Sequence, residues 1–242
     1  MAWHRRKTGG GTGSNQYQVR GSAKPRAPKP AVKIATSAAQ VRAPRTDSST
    51  AILRGSHVVQ RITWAEDLRC SPDLLAQLAR DRDMNVRYAA AQHPNCSHKL
   101  LTQLARDRDM NVRYAAALHP SCPPELLVRL AEDKITSVRY AAAKNPKCPS
   151  ESLAQLAQDE NMNVRYAAAK NSNCPLEVLE SLALDEDRVM RQNVAENLKS
   201  PFELLARLMQ DQDENVRAAA ISMVMHRPDI PDHVKATIVL SQ

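Results

Sequence analysis

Residues 122–147 read Cys-Pro-Pro-Glu-Leu-Leu-Val-Arg-Leu-Ala-Glu-Asp-Lys-Ile-Thr-Ser-Val-Arg-Tyr-Ala-Ala-Ala-Lys-Asn-Pro-Lys, and close relatives of this stretch recur every 26 residues. Six units begin at Cys70, Cys96, Cys122, Cys148, Cys174 and Ser200. Counting each of these as position 1, position 6 is always Leu and position 9 is always Leu. Position 12 is always Asp: Asp81, Asp107, Asp133, Asp159, Asp185 and Asp211. Position 18 is always Arg: Arg87, Arg113, Arg139, Arg165, Arg191 and Arg217. Self-similarity at a fixed period is the mark of a stacked-repeat architecture.

Each unit predicts two short helices. The first covers about positions 3–11, where Leu at 5, 6 and 9 with Ala at 10 forms one apolar stripe of helical spacing. The second covers about positions 15–22, with Val at 17 and Ala at 20 and 21 on its inner face. Small residues there let neighbouring helices approach closely. His-Pro and Asn-Pro pairs then end the second helix, because the residue before proline is driven out of the helical region. One such pair cannot bury its own stripe, whereas a stack of six can, so the expected fold is an all-α solenoid. The ends differ as caps should. Residues 60–69 read as the second half of a leading unit with Trp64 covering the core, and Ile230-Pro231 restarts a first helix after an insertion. The expected organisation is a tail at residues 1–55 and a solenoid domain at residues 56–242.

Charge separates the same two regions. Residues 1–55 hold eleven Lys/Arg and one acid, net +10, while the remainder holds 23 basic and 25 acidic side chains. The tail is rich in Gly, Ser, Thr, Pro and Arg, a composition that buries too little to offset the entropy of ordering. It is expected to be disordered, with weak phosphate-directed contact to nucleic acid as its functional alternative. No run approaches the roughly 18–20 apolar residues of a membrane span, and no secretory leader is evident. The expectation is a cytoplasmic protein with no membrane contact.

The pattern Pro-x-x-Leu-x-x-Leu-Ala-x-Asp, followed by Val-Arg, Ala and Asn-Pro, resembles the leucine-rich repeat variant family within the wider HEAT-like superfamily. The resemblance spans about residues 57–242. It implies a right-handed superhelix in which one helix of each pair can be a tighter 3₁₀ segment, and a role in protein–protein contact. The founding architecture of that family also carries a cysteine cluster that holds an iron–sulfur group. This chain has no cysteine before Cys70 and no Cys-x-x-Cys, so no cofactor and no metal are expected.

The remaining candidates follow from the repeat. The five thiols stand one repeat apart, too far for the close approach that a disulfide requires, and are expected to form a buried ladder. The Asp and Arg columns are expected to bond between units and to loop carbonyls as a structural ladder. Tyr88, Tyr114, Tyr140 and Tyr166 share position 19. Two readings stand for them: rings packed between repeats, or a partner-binding stripe, tyrosine being enriched at binding hot spots. Lys144 and Lys170 at position 23 and His93 and His119 at position 24 extend that stripe; the two histidines are otherwise expected as ordinary surface residues. No nucleophile motif, phosphate loop or metalloprotease motif occurs. The expected function is a non-catalytic protein-interaction scaffold, with another protein as partner; nucleic-acid association through the tail is the alternative.

Overall fold

The computed structural model describes residues 55–240, so the expectations for the basic tail lie outside the described residues. Fourteen helices and no strand are found among the described residues. The leading half-unit supplies α1 (Val58–Glu66). The six repeats follow as pairs: α2 (Pro72–Leu78) with α3 (Met84–Gln92), α4 (His98–Leu104) with α5 (Met110–Leu118), and α6 (Pro124–Ala131) with α7 (Thr136–Lys144). Then come α8 (Ser150–Leu156) with α9 (Met162–Lys170), α10 (Leu176–Leu182) with α11 (Arg188–Ala195), and α12 (Phe202–Leu208) with α13 (Glu214–His226). The closing helix is α14 (Asp232–Leu240).

Local chemistry sets these boundaries. Ser71 and Ser97 cap α2 and α4 by accepting amide protons from Leu74 and Leu100. From repeat 3 onward proline takes the cap position, with φ near −60° in Pro149 and Pro175, a value its ring imposes. Second helices start on Asp83, Asp109, Asn161, Asp187 and Asp213, whose side chains accept the amide proton two residues on. Such caps satisfy donors that the helix itself leaves open. Both helices of each pair are α-helical, a correction to the expected 3₁₀ segment. Tight geometry appears in the turns at the helix ends, as in Arg80 N–H to Gln77 O and Asp81 N–H to Leu78 O after the first helix and His93 N–H to Ala90 O after the second. The insertion before Ile230 adds one turn to α13, which has 13 residues against 9 in α3, α5, α7 and α9. One whole turn preserves register, and buried Ile230 takes the place that cysteine holds elsewhere.

Second helices pack directly against their neighbours along the array, α1 on α3, α3 on α5, and so on to α13. Neighbouring first helices barely touch, α6 against α8 being the fullest such contact. Alanine at positions 20 and 21 permits the close approach on one side, so the array closes up along its second helices. Leucines at position 6 are fully buried in all six repeats, and the five cysteines are buried free thiols. Burial pushes those thiols up, to about 11 in Cys70 and Cys96 and about 12 in Cys122, Cys148 and Cys174. They are neutral packing groups. Trp64 closes the leading end at 2% exposure, with its indole N–H buried and unbonded among the described residues.

Two polar ladders tie the stack. In the first, five arginines fork onto the aspartate of the next unit and also bond loop carbonyls. Arg113 Nε donates to Asp133 Oδ2 at 2.6 Å and Nη2 to Oδ1 at 3.0 Å, while Nη1 donates to Asp107 O at 2.8 Å. The same fork joins Arg61–Asp81, Arg87–Asp107, Arg139–Asp159 and Arg191–Asp211. Arg217 in the last repeat keeps only the carbonyls, of Asp211 and Gln212.

The second ladder runs through position 24 and corrects the surface assignment of the histidines. His93 and His119 are 2% and 4% exposed. His119 Nδ1 accepts the Ser121 amide proton at 3.0 Å, which fixes the tautomer so that Nε2–H donates to His93 O at 3.1 Å. His93 bonds Asp67 O and the Asn95 amide in the same manner. Asn145, Asn171 and Asn197 do this work with an amide, each Nδ2 reaching carbonyls of the preceding repeat. Imidazole and carboxamide are interchangeable here because each sets an acceptor beside a donor.

This equivalence gives a pH prediction. Burial holds the His119 imidazole below its ordinary 6.5, against the opposing effect of its bond to His93 O. Protonating Nδ1 would also destroy its acceptor for the Ser121 amide. A base depressed on folding contributes stability that is complete above 6.5 and declines as pH falls from 6.5 through the lower folded value. The variant His119→Asn is expected to fold normally and to lose that acid-dependent component. Denaturant midpoints measured between pH 7.5 and 5 check it; an unchanged slope in the variant would count against the assignment.

Candidate interaction groove

The tyrosine column lies on the second-helix side and is neither fully packed nor fully free. Tyr114 is buried, while Tyr88, Tyr140 and Tyr166 are partly so. Gln92 Nε2 donates to the Tyr88 hydroxyl at 3.0 Å. Burial raises the Tyr114 phenol, with Tyr140 and Tyr88 close enough to add to the effect. Lys144 Nζ lies 5.7 Å from the centre of the Tyr140 ring, within reach of a cation–π contact. Packing between repeats therefore explains Tyr114, and leaves parts of the other rings facing outward.

Tyr140 and Tyr166 are brought together with Lys144 and Lys170 in a groove of 620 Å³ that runs across repeats 3 to 5. Pro146, Ser172, Val189, Asn193 and Leu198 complete much of its lining. Within it, the junction of repeats 4 and 5 departs from the other joints. Arg165 keeps its bonds to Asp159 O and Glu160 O, but among the described residues no ion pair joins it to Asp185. Instead the Tyr166 hydroxyl donates to Asp187 Oδ2. Burial and that neighbouring carboxylate push the Tyr166 phenol to about 12, so it stays a neutral donor. The buried core also divides here, into one part from Trp64 to Ala168 and another from Cys174 to Ile230. Half-buried Val178 and Leu182 of α10 pack against both.

The groove has an uneven charge pattern. Lys170 Nζ bonds Glu196 Oε2 at 2.6 Å. Burial alone would raise the Glu196 carboxyl, and the Lys170 and Gln192 bonds hold it below the usual range. Lys144 has no carboxylate partner among the described residues and rests on Tyr140. Leu198 stands at the rim, 71% exposed.

The repeat pattern did not single out Asn193, Ser172 or Leu198. Their signal was departure from the unit: Asn193 where the other five repeats have Ala, Ser172 where the three preceding units have Pro, and Leu198 in that same column. His93 and His119 do not belong to the groove. The Asp and Arg columns are taken up by the ladder, so they supply no free acid–base pair in the joints where the fork forms.

A solved structure described as a leucine-rich repeat variant with a novel repetitive structural motif matches 72% of this chain at 31% identity, covering 69% of its own length with a TM-score of 0.55. This chain belongs to the leucine-rich repeat variant family. Weaker likenesses at 19% identity extend to YibA of E. coli (75% of this chain and 76% of that one, TM-score 0.45) and to a condensin subcomplex of S. pombe (75% and 29%, TM-score 0.39). No family model and no curated protein matches the leucine-rich repeat variant described here. No helix among its described residues is long and apolar enough to cross a membrane.

Proposed function

We propose that this protein is a non-catalytic interaction scaffold that engages another protein through its second-helix side, at the groove across repeats 3 to 5. The observation that carries this reading is the meeting of two outward tyrosine rings with two lysines in one concavity. Aromatic anchors in a recess with a polar surround are the usual composition of an interface hot spot. The Arg–Asp column is occupied in holding the stack, which supports a binding role over a catalytic one. Five reduced, buried thiols fit a reducing compartment such as the cytoplasm.

The double variant Tyr140→Ala/Tyr166→Ala tests the reading. Affinity capture from a lysate of the source cells should recover at least one partner with wild type that falls by about 30-fold with the variant, corresponding to roughly 2 kcal/mol. Circular dichroism must show both proteins equally helical. Recovery of every partner at the wild-type level would remove the groove from consideration.

A further inference from the structure

Asn193 is the most buried polar residue of the groove whose side chain the fold leaves without a hydrogen bond among the described residues. It occupies position 20 of repeat 5, where the other repeats have Ala89, Ala115, Ala141, Ala167 and Ala219. The side chain is 6% exposed and lines the groove. Among the described residues its amide has no hydrogen-bond partner, although the other buried asparagines, Asn145, Asn171 and Asn197, are all bonded. Trp64 Nε1 is the one wholly buried and unbonded side-chain polar atom among the described residues, so the Asn193 amide is open to the groove. A partner that covers it must bond it, since a polar group buried without a partner costs about 1–3 kcal/mol. Alanine would fill the same place in the stack with no such group.

We propose that the Asn193 amide holds one main-chain peptide group of an extended partner segment, with an acidic side chain of that segment at Lys144. This rests on the scaffold reading above and names the kind of partner. A carboxamide offers one acceptor oxygen and an NH₂ donor side by side. A peptide group in an extended chain presents the complementary N–H and C=O. Lys144 is the uncommitted cation of the groove, since Lys170 is held by Glu196. Pro146, Val189 and Leu198 give apolar surface for a neighbouring side chain. Phosphate-rich ligands fit poorly, because residues 148–240 carry fifteen acidic and nine basic side chains.

The test is selection of displayed random linear dodecapeptides on the full-length chain, followed by binding of the most enriched synthetic peptide to variants. Enriched peptides should place Asp or Glu beside a large apolar residue. Their affinity should fall about tenfold or more in Asn193→Ala, the consequence of one lost pair of buried hydrogen bonds. It should fall several-fold in Lys144→Ala. The thermal midpoint of Asn193→Ala should equal or exceed that of wild type, because alanine restores the repeat. The inference is overturned if the peptide binds Asn193→Ala as tightly as wild type, or if that variant melts well below wild type, which would make the amide structural. Enrichment of no peptide, or displacement of the peptide by a single-stranded RNA oligonucleotide, would also overturn it. Sensitivity of peptide binding to Tyr140→Ala/Tyr166→Ala but not to Asn193→Ala would leave the scaffold reading standing and remove the amide contact alone.

Discussion

Arg113→Met is expected to destabilise the protein by roughly 3–5 kcal/mol, the range for breaking a buried ion pair by removing one member. Arg113 and Asp133 side chains are 10% and 12% exposed. Methionine fills much of the space and cancels the fork, so Asp133 stays in the fold without its counter-charge. Arg165→Met removes the same side chain from a joint where no ion pair to Asp185 forms, and should cost less, about 1–2 kcal/mol for its carbonyl bonds. Urea unfolding of the two variants side by side checks the contrast; equal losses would show that the fork adds nothing. Burial would raise the Asp133 carboxyl, but the Arg113 fork overrides it and holds it below the ordinary 3.8. A carboxylate depressed on folding contributes stability that is complete above 3.8 and lost as pH falls through the folded value. In Arg113→Met, only the Ile135 amide and the Lys134 charge still oppose burial, and acid sensitivity should move to higher pH.

The second large effect is expected at Asn145. Its Nδ2 donates to Ala117 O at 2.7 Å and His119 O at 3.1 Å, and its Oδ1 accepts the Lys147 amide proton at 2.9 Å. Asn145→Ala removes three bonds at the joint of repeats 2 and 3 and strands two main-chain groups, Ala117 O and the Lys147 amide, since His119 O keeps the Cys122 amide proton. At about 1–3 kcal/mol for each buried group left unpaired, the total is about 2–6 kcal/mol. Asn145→His should restore most of it, because His119 fills the same place one repeat earlier. Because stability in a stacked array is summed over nearest-neighbour interfaces, the loss in Asn145→Ala should uncouple the two sides. Amide exchange should then quicken in α5 and α7 more than in α11. Uniform exchange throughout would contradict that.

The first of these effects was partly legible in the chain itself, the second was not. A column of six arginines beside a column of six aspartates announces a ladder, since fixed charges at a fixed period have a common task. Position 24 holds Asp, His, His, Asn, Asn and Asn from the leading half-unit onward. No single residue type recurs there, so it reads as variable polar surface. Its unity is one of hydrogen-bond geometry, which appears only when the preceding repeat's carbonyls are in place.

The sequence by itself determined the class of fold, the register of the repeats and the burial of leucine and cysteine, because period and side-chain volume are local properties that every unit repeats. The tertiary structure alone decided which joint differs. Arg165 and Asp185 are the same residue types as in every other joint, yet they do not pair. The tyrosines of repeats 3 and 4 open onto a groove that reaches this joint, and the Asn193 amide faces it with no partner in the chain among the described residues. Those are relations between neighbouring repeats, set by how helices from separate units pack, and a column of letters does not contain them.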